Sequence, residues 1–424
     1  MKTYLELSLD ERKSLYAELC ATHSDYKSKA LVLDLSRGKP NCSQLDISNG
    51  ILSVDLADAY TSKSGFDCRN YGLLDGLTEM KEFFAEAFDL DAEDVMVGGN
   101  SSLQLMYDTL TRAMLFGVHG SQRPWCREER VKWICPSPGY DRHFYITEML
   151  GFELLTVRML PDGPDMDEVE RLALDPAVKG IWCVPKYSNP TGYTYSDEVV
   201  RRLATMQCAA PDFRIMYDNA YAIHDFSEDS DTLLDIFEVA KSCGNAERIF
   251  YYGSTSKVTH PGSGVAFMAA SEKNRNQIAK YLSAQTIGFD KVNQLRHLRF
   301  FETNENLRKH MLHLGGIIKK KFDIAIEKLY ALDGLGIAEW TEPNGGYFIS
   351  VDTFKGTARR VYELTREAGV TLTPVGSTFP YGIDPEDKNL RLAPTYPEDD
   401  DLATACEILV NAIKMAALEK LGLE

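Results

Sequence analysis

The absences narrow the field first. Nowhere in the 424 residues is there an apolar run of about 18, the length a membrane-spanning helix needs. The N-terminal stretch MKTYLELSLDERKSLYAEL is charged and amphipathic, unlike the apolar core of a secretory signal. Positive charge is scarce: 46 Lys and Arg stand against 63 Asp and Glu, a net charge of −17, so a nucleic-acid surface is not expected. The nine cysteines show no C-x-x-C spacing and no paired framework. They read as reduced, packed thiols, with no disulfide and no metal site. What remains is a cytoplasmic protein with neither nucleic acid, membrane nor metal as a partner. Its length suits two to three domains, or one large α/β domain with a smaller companion.

The pattern that is present becomes regular from residue 131. Apolar strand candidates at 131–135, 154–160, 180–185, 214–217 and 249–252 are separated in several places by helical stretches such as 198–206 and 232–242. Near-continuous apolar strands alternating with helices describe a mostly parallel sheet covered on both faces. Ligands of such sheets sit beyond the carboxyl ends of the strands. Upstream, 9–23 has helical spacing, and a strand-like run at 30–35 ends in the turn Ser36-Arg37-Gly38-Lys39-Pro40, whose glycine permits close approach of backbone to a ligand. Asn70-Tyr71-Gly72 precedes a helix-like segment at 76–88. At 95–116 a strand, the turn Gly98-Gly99-Asn100-Ser101-Ser102 and a helix start leave free N–H groups that suit an anion, although plain helix capping looks the same. That turn has neither the lysine of a Walker loop nor the G-x-G-x-x-G spacing, which disfavours a nucleotide.

Three successive strand ends carry polar groups of different chemistry. After 180–185 comes Lys186-Tyr187-Ser188-Asn189-Pro190-Thr191-Gly192, after 214–217 comes Asp218-Asn219-Ala220-Tyr221, and after 249–252 comes Gly253-Ser254-Thr255-Ser256-Lys257. A lysine at the end of a buried strand can lose its proton by desolvation and attack a carbonyl. Ser254 and Ser256 beside it suit a phosphate, and a lysine with a phosphate site suggests pyridoxal phosphate. A strand-end aspartate can keep a pyridine nitrogen protonated while Asn and Tyr donate to the ring oxygen, which makes the ring an electron sink. Each piece has an ordinary alternative: a solvated lysine in a surface loop, a simple Asn-Pro turn, a helix-capping aspartate.

Taken together, Tyr71, Gly99-Asn100-Ser101, Asn189-Pro190-Thr191-Gly192, Asp218-x-x-Tyr221, Ser254-x-x-Lys257 and Arg391 resemble the fold-type I pyridoxal-phosphate aminotransferases of class I/II, over roughly residues 36 to 395. Ser36-Arg37-Gly38-Lys39-Pro40, Pro138-Gly139-Tyr140-Asp141-Arg142-His143-Phe144 and Pro261-Gly262-Ser263-Gly264 are most similar to a divergent aspartate aminotransferase subgroup, often labelled MocR-like. The stretch before Ser36 is too short for the winged-helix domain of the regulator version. The resemblance implies an α/β fold: a large domain at 56–290 with a mostly parallel, seven-stranded-type sheet between helices, and a smaller α+β domain from 1–55 and 305–424. A long interdomain helix would start at 291–304.

It also implies roles. Lys257 would form the internal aldimine and shuttle a proton between Cα and the cofactor; Asp218 would pair with the pyridine nitrogen, and Tyr221 and Asn189 with the ring oxygen. Asn100, Ser101, Ser102 and Ser254 would hold the phosphate, with Tyr71 reaching the phosphate of a partner subunit in a homodimer with shared active sites. Many members carry a phosphate-binding arginine soon after the lysine, where this chain has Gly264 and Val265. Tyr140 would stack on the ring, with Ser137 as its rival. Arg391 would clamp the α-carboxylate near the Gly38 backbone. Arg37 and Lys39 are candidates for a second carboxylate, with Lys186, Lys291 and Arg296 behind them. The implied reaction is ping-pong transfer between aspartate and 2-oxoglutarate. Another amino donor (alanine, aromatic or 2-aminoadipate-like), a pyridoxal-phosphate lyase and a non-catalytic cofactor-binding regulator stay open.

Overall fold

The computed structural model describes residues 2–423. The strands in chain order are β1 (Leu33–Asp34), β2 (Val95–Val97), β3 (Lys132–Ser137), β4 (Glu153–Leu160), β5 (Gly163–Pro164), β6 (Val178–Cys183), β7 (Arg214–Asp218), β8 (Ile249–Ser254), β9 (Ala266–Ala270), β10 (Ala338–Trp340), β11 (Ile349–Thr353), β12 (Val370–Thr371) and β13 (Asn389–Leu392). Among the described residues the large sheet has eight strands, in the order β2-β9-β8-β7-β6-β3-β4-β5. The pairs within β8-β7-β6-β3-β4 are parallel; β9 runs antiparallel to β8 and β2, and β5 to β4.

The sheet forms here because the central strands are apolar on both faces. Ile134, Ile181, Ile215 and Ile249 stand side by side across β3, β6, β7 and β8 and belong to one core. The alternate residues Trp133, Trp182, Met216 and Phe250 belong to a second core on the opposite face. Each of those isoleucines has no exposed surface, a burial that stabilises by about 1.5–3 kcal/mol per side chain. β4, near the edge, alternates exposed and buried residues instead.

Strand order reverses between β6 and β3: from there β7 and β8 follow on one side and β4 on the other. Crossover connections therefore part at that point and leave a crevice at the carboxyl ends.

A second layer faces it. β10, β11 and β13 form an antiparallel sheet, and β1 pairs in parallel with β12. The helix Asp399–Leu421 packs against the helices Leu9–Ser28 and Asn304–Leu329, so the two ends of the chain meet. Arg12 Nη1 donates to the Leu421 carbonyl at 2.9 Å, and Ala393 N to the Leu35 carbonyl at 3.0 Å.

Two details differ from the expectations. The sheet exceeds the seven-stranded type because Gly163–Pro164 folds back on β4 as a two-residue edge, too short to carry any alternation. The long helix starting at 291–304 is two helices, Lys291–Phe301 and Asn304–Leu329. Glu302 adopts φ 62°, which ends the first, and the Thr303 side chain accepts from Asn306 N at 3.3 Å and caps the second. Among the described residues no helix is long and apolar enough to cross a membrane.

Candidate active site

A cavity of about 670 Å³ lies beyond the carboxyl ends of β6, β7 and β8 and is closed on its other side by β13 and the turn at Gly38. Asp218 is the last residue of β7 and is 3% exposed. Its Oδ2 lies 2.9 Å from His143 Nε2; since a carboxylate only accepts, Nε2 donates. Its Oδ1 is buried with no partner. Leaving such an oxygen unsatisfied costs about 1–3 kcal/mol or more, so the position is shaped for a donor that the chain itself does not supply.

His143 was absent from the expected site. It sits in the helix Asp141–Met149, stacked on Trp182 with ring centroids 4.2 Å apart and edge-on to Tyr140 at 4.9 Å. The only sequence signal was its position three residues after Tyr140, one turn along a helix that starts at a strand end.

Lys257 follows β8 in the same cavity, its Nζ 4.9 Å from the Tyr221 ring centroid and 5.7 Å from that of Tyr347. Burial pushes the Tyr221 phenol well above its ordinary range and that of Tyr140 up to about 12, so both stay neutral hydrogen-bond donors near pH 7. Tyr140 lines the cavity; Ser137 does not, its hydroxyl donating to the Cys135 carbonyl at 3.0 Å.

Ser101, Ser102, Ser254 and Ser256 line another part of the cavity. Ser101 is the N-cap of the helix Ser102–Phe116 but makes no side-chain cap bond, which leaves its hydroxyl and the first-turn N–H groups available. Ser256 Oγ donates to the Asn100 carbonyl at 3.4 Å; the Asn100 side chain is not part of the lining. A Cβ on Gly264 would lie 3.1 Å from Thr255 Oγ1 and 3.3 Å from the Asn100 carbonyl, and Val265 is buried, so this tightly packed segment supplies no cation to the phosphate. Tyr71 is 77% exposed and is not part of this chain's own cavity.

Arg391, in β13, stands on the third side. Nη1 donates to Asp141 Oδ1 at 2.8 Å and Asn189 Oδ1 at 3.4 Å, Nε donates to Thr373 Oγ1 at 3.4 Å, and the guanidinium lies 5.0 Å from the Phe348 ring centroid. A Cβ on Gly38 would sit 2.3 Å from that same ring, so only glycine lets the turn come this close.

Arg37 lines the cavity, and so does Arg142, which the sequence reading did not single out; among the described residues neither is in a salt bridge. Lys39 is not brought in: its Nζ lies 3.8 Å from the Tyr396 ring centroid, away from the lining residues. Lys186 is buried in an ion pair with Asp225 at 2.7 Å, Lys291 donates to the Phe289 carbonyl at 3.2 Å, and neither they nor Arg296 line the cavity.

The donor set fits a planar ring with a basic nitrogen at Asp218, a polar oxygen at Tyr221 and Asn189, and a phosphate at the serines. The volume suits such a group together with a small acid.

The family model for aspartate amino-transferase matches residues 7–423. An aspartate aminotransferase of Corynebacterium glutamicum is 44% identical over 411 residues, covering 96% of this chain and 95% of its own. The crystal structure of an aspartate transaminase from the same species has a TM-score of 0.97 at 42% identity, over 99% of both chains. An α-aminoadipate aminotransferase of Thermus thermophilus, solved with N-(5'-phosphopyridoxyl)-L-leucine, shares the fold with a TM-score of 0.74 at 22% identity, over 92% of this chain and 94% of its own.

Proposed function

The chain belongs to the aspartate amino-transferase family, and from that premise we propose that it uses pyridoxal 5'-phosphate to move the amino group of aspartate to 2-oxoglutarate. It is an aminotransferase, with amino acids and 2-oxo acids as substrates. The observation that carries the cofactor reading is the buried, unpartnered Asp218 Oδ1 in the cavity that also holds Lys257. When bound, the cofactor supplies an electron sink for the pair of electrons left at the substrate Cα.

The chain's own residues do the rest. Asp218, oriented by His143, holds a proton on the ring nitrogen; Tyr221 donates to the ring oxygen. Asn189 accepts from Arg391 through Oδ1, which leaves its amide N–H groups for that same oxygen. Ser101, Ser102, Ser254 and the helix N-terminus would receive the phosphate, while the Asn100 carbonyl accepts from Ser256. Tyr140, in the cavity lining, would stack on the ring. Lys257 moves the proton at the substrate Cα, and Arg391 orients the α-carboxylate beside the Gly38 backbone.

The division into a large domain at 56–290 and a small domain from 1–55 and 305–424 is supported by the packing of the Leu9–Ser28 helix on the C-terminal helix and by the β1–β12 pair. Closing the small domain over the cavity would exclude water from the reacting carbon. A homodimer is supported by Tyr71 and Ile287, both exposed and on neighbouring segments, with Gly288 packed against the Gly72 carbonyl. A cytoplasmic location fits the acidic charge and reduced cysteines.

A steady-state screen of amino donors and oxo-acid acceptors tests this. The reading expects aspartate and 2-oxoglutarate to have the highest kcat/KM; a preference for apolar or aromatic donors contradicts it, and release of ammonia without an acceptor marks a lyase.

A further inference from the structure

The guanidinium of Arg391 has five N–H donors. Nη1 is engaged by Asp141 and Asn189 and Nε by Thr373; among the described residues only Nη2 has no protein partner. A ligand carboxylate that takes both terminal nitrogens must share or displace the Asp141 carboxylate. Asp141 is free to yield: its side chain is 31% exposed, against 9% for Arg391. It is also the first residue of its helix, where the helix dipole keeps its charge stable without a partner. Two further cations, Arg37 and Arg142, line the same cavity, and Arg142 is the next residue after Asp141.

We propose that Asp141 sets the affinity threshold of the site: it occupies Arg391 as an internal carboxylate that every acid must displace, and only acids with a second carboxylate, received by Arg142 and Arg37, recover enough to bind well. The inference rests on the dicarboxylate reading above. A monocarboxylate exchanges one charge-assisted bond at Arg391 for another and gains little. A dicarboxylate makes the same exchange and adds an ion pair with a cation that has no protein partner. Asp141 thus raises the threshold for every acid, and the attraction at the rim decides which acids clear it.

Titrating the holoenzyme with succinate and with butyrate by calorimetry tests this, since neither can react. Wild type binds succinate more tightly than butyrate. Asp141→Asn tightens butyrate and succinate alike by about tenfold or more, the equivalent of one bond to a charged group, and leaves the ratio between the two ligands nearly unchanged. Arg142→Gln combined with Arg37→Gln weakens succinate by at least about tenfold and leaves butyrate within about twofold. Retention of the cofactor absorption band reports that each variant is folded, and Asp141→Ser repeats the test if the asparagine itself bonds to Arg391. Weaker binding of both ligands in the Asp141 variants overturns the proposal, because Asp141 would then position Arg391 in the complex. An unchanged butyrate affinity, or succinate binding indifferent to the double variant, overturns it too. If the ligands behave as expected but aspartate is not a donor, the filter stands and the substrate reading falls.

Discussion

The floor and the mouth of the cavity are built differently. Asp218, Tyr221 and His143 on the floor are nearly fully buried and come from β7, the turn that follows it and a helix on the face of the sheet. The mouth is assembled from Arg391 on the small sheet, the 36–40 turn and the start of the Asp141–Met149 helix, and its Arg37 and Arg142 are exposed. Rigid, water-free surroundings suit the groups that hold a ring and tune its charge. Exposed groups on separate elements suit the recognition of a substrate that enters, closes the site and leaves. The difference predicts that floor variants lower turnover for every donor alike, whereas mouth variants change which acids bind.

The sharpest way to break that division is Lys257→Ala. Multiple turnover is expected to disappear, while the folded protein still holds the cofactor non-covalently. Substantial turnover by the purified variant without added amine contradicts this.

The next effects should separate floor from mouth. Asp218→Asn is expected to lower kcat by about 10² to 10³ for all donors, without changing their ranking. Arg391→Ala should cost about 2 to 5 kcal/mol in kcat/KM, expressed largely in KM. If the asparagine variant reorders the donors, the floor is not the uniform part of the site.

A smaller effect is expected from Gly38→Ala, which pushes on the Phe348 ring beneath Arg391. KM should rise by about tenfold with kcat nearly kept, measured with aspartate. A fall in kcat alone would tie this turn to the floor.

The smallest effect concerns stability and reads out the burial of His224, whose ring stands edge-on to that of Tyr221 with centroids 5.6 Å apart. Burial pushes the His224 imidazole from an ordinary 6.5 down to about 3. Between those values the unfolded chain binds a proton that the folded chain refuses, so stability is full above about pH 6.5 and falls as pH drops toward about 3. His297, lowered to about 4, acts in the same direction. Denaturant unfolding at pH 8, 6 and 5 should show His224→Gln with a slope shallower by up to about 1.4 kcal/mol per pH unit. Equal slopes would mean that water reaches the ring.

This division also governs what could be read from the sequence. Asn189, Asp218 and Lys257 were legible because each follows a near-continuous apolar strand, and parallel sheets put such positions at one edge. His143 was not, because it meets Asp218 only through helix-on-sheet packing, and nothing local separates it from a core histidine. Asp141 and Arg142 lie within the 138–144 motif, yet their significance depends on Arg391, far along the chain in another sheet. Lys39 shared a turn with Gly38, but neighbouring residues of an extended turn point different ways, and it settled on Tyr396. The helix break at Glu302 was foreshadowed by Thr303 ahead of Asn304-Glu305-Asn306, a capping pattern that outweighs helical periodicity.

The most direct test of the central claim is the absorbance of the holoenzyme after aspartate is added with no acceptor. An aminotransferase stops after one half-reaction: the band of the aldehyde-derived cofactor is lost, the amino form persists, and 2-oxoglutarate restores the original spectrum. An unchanged spectrum, or continuous product release without an acceptor, would contradict the account.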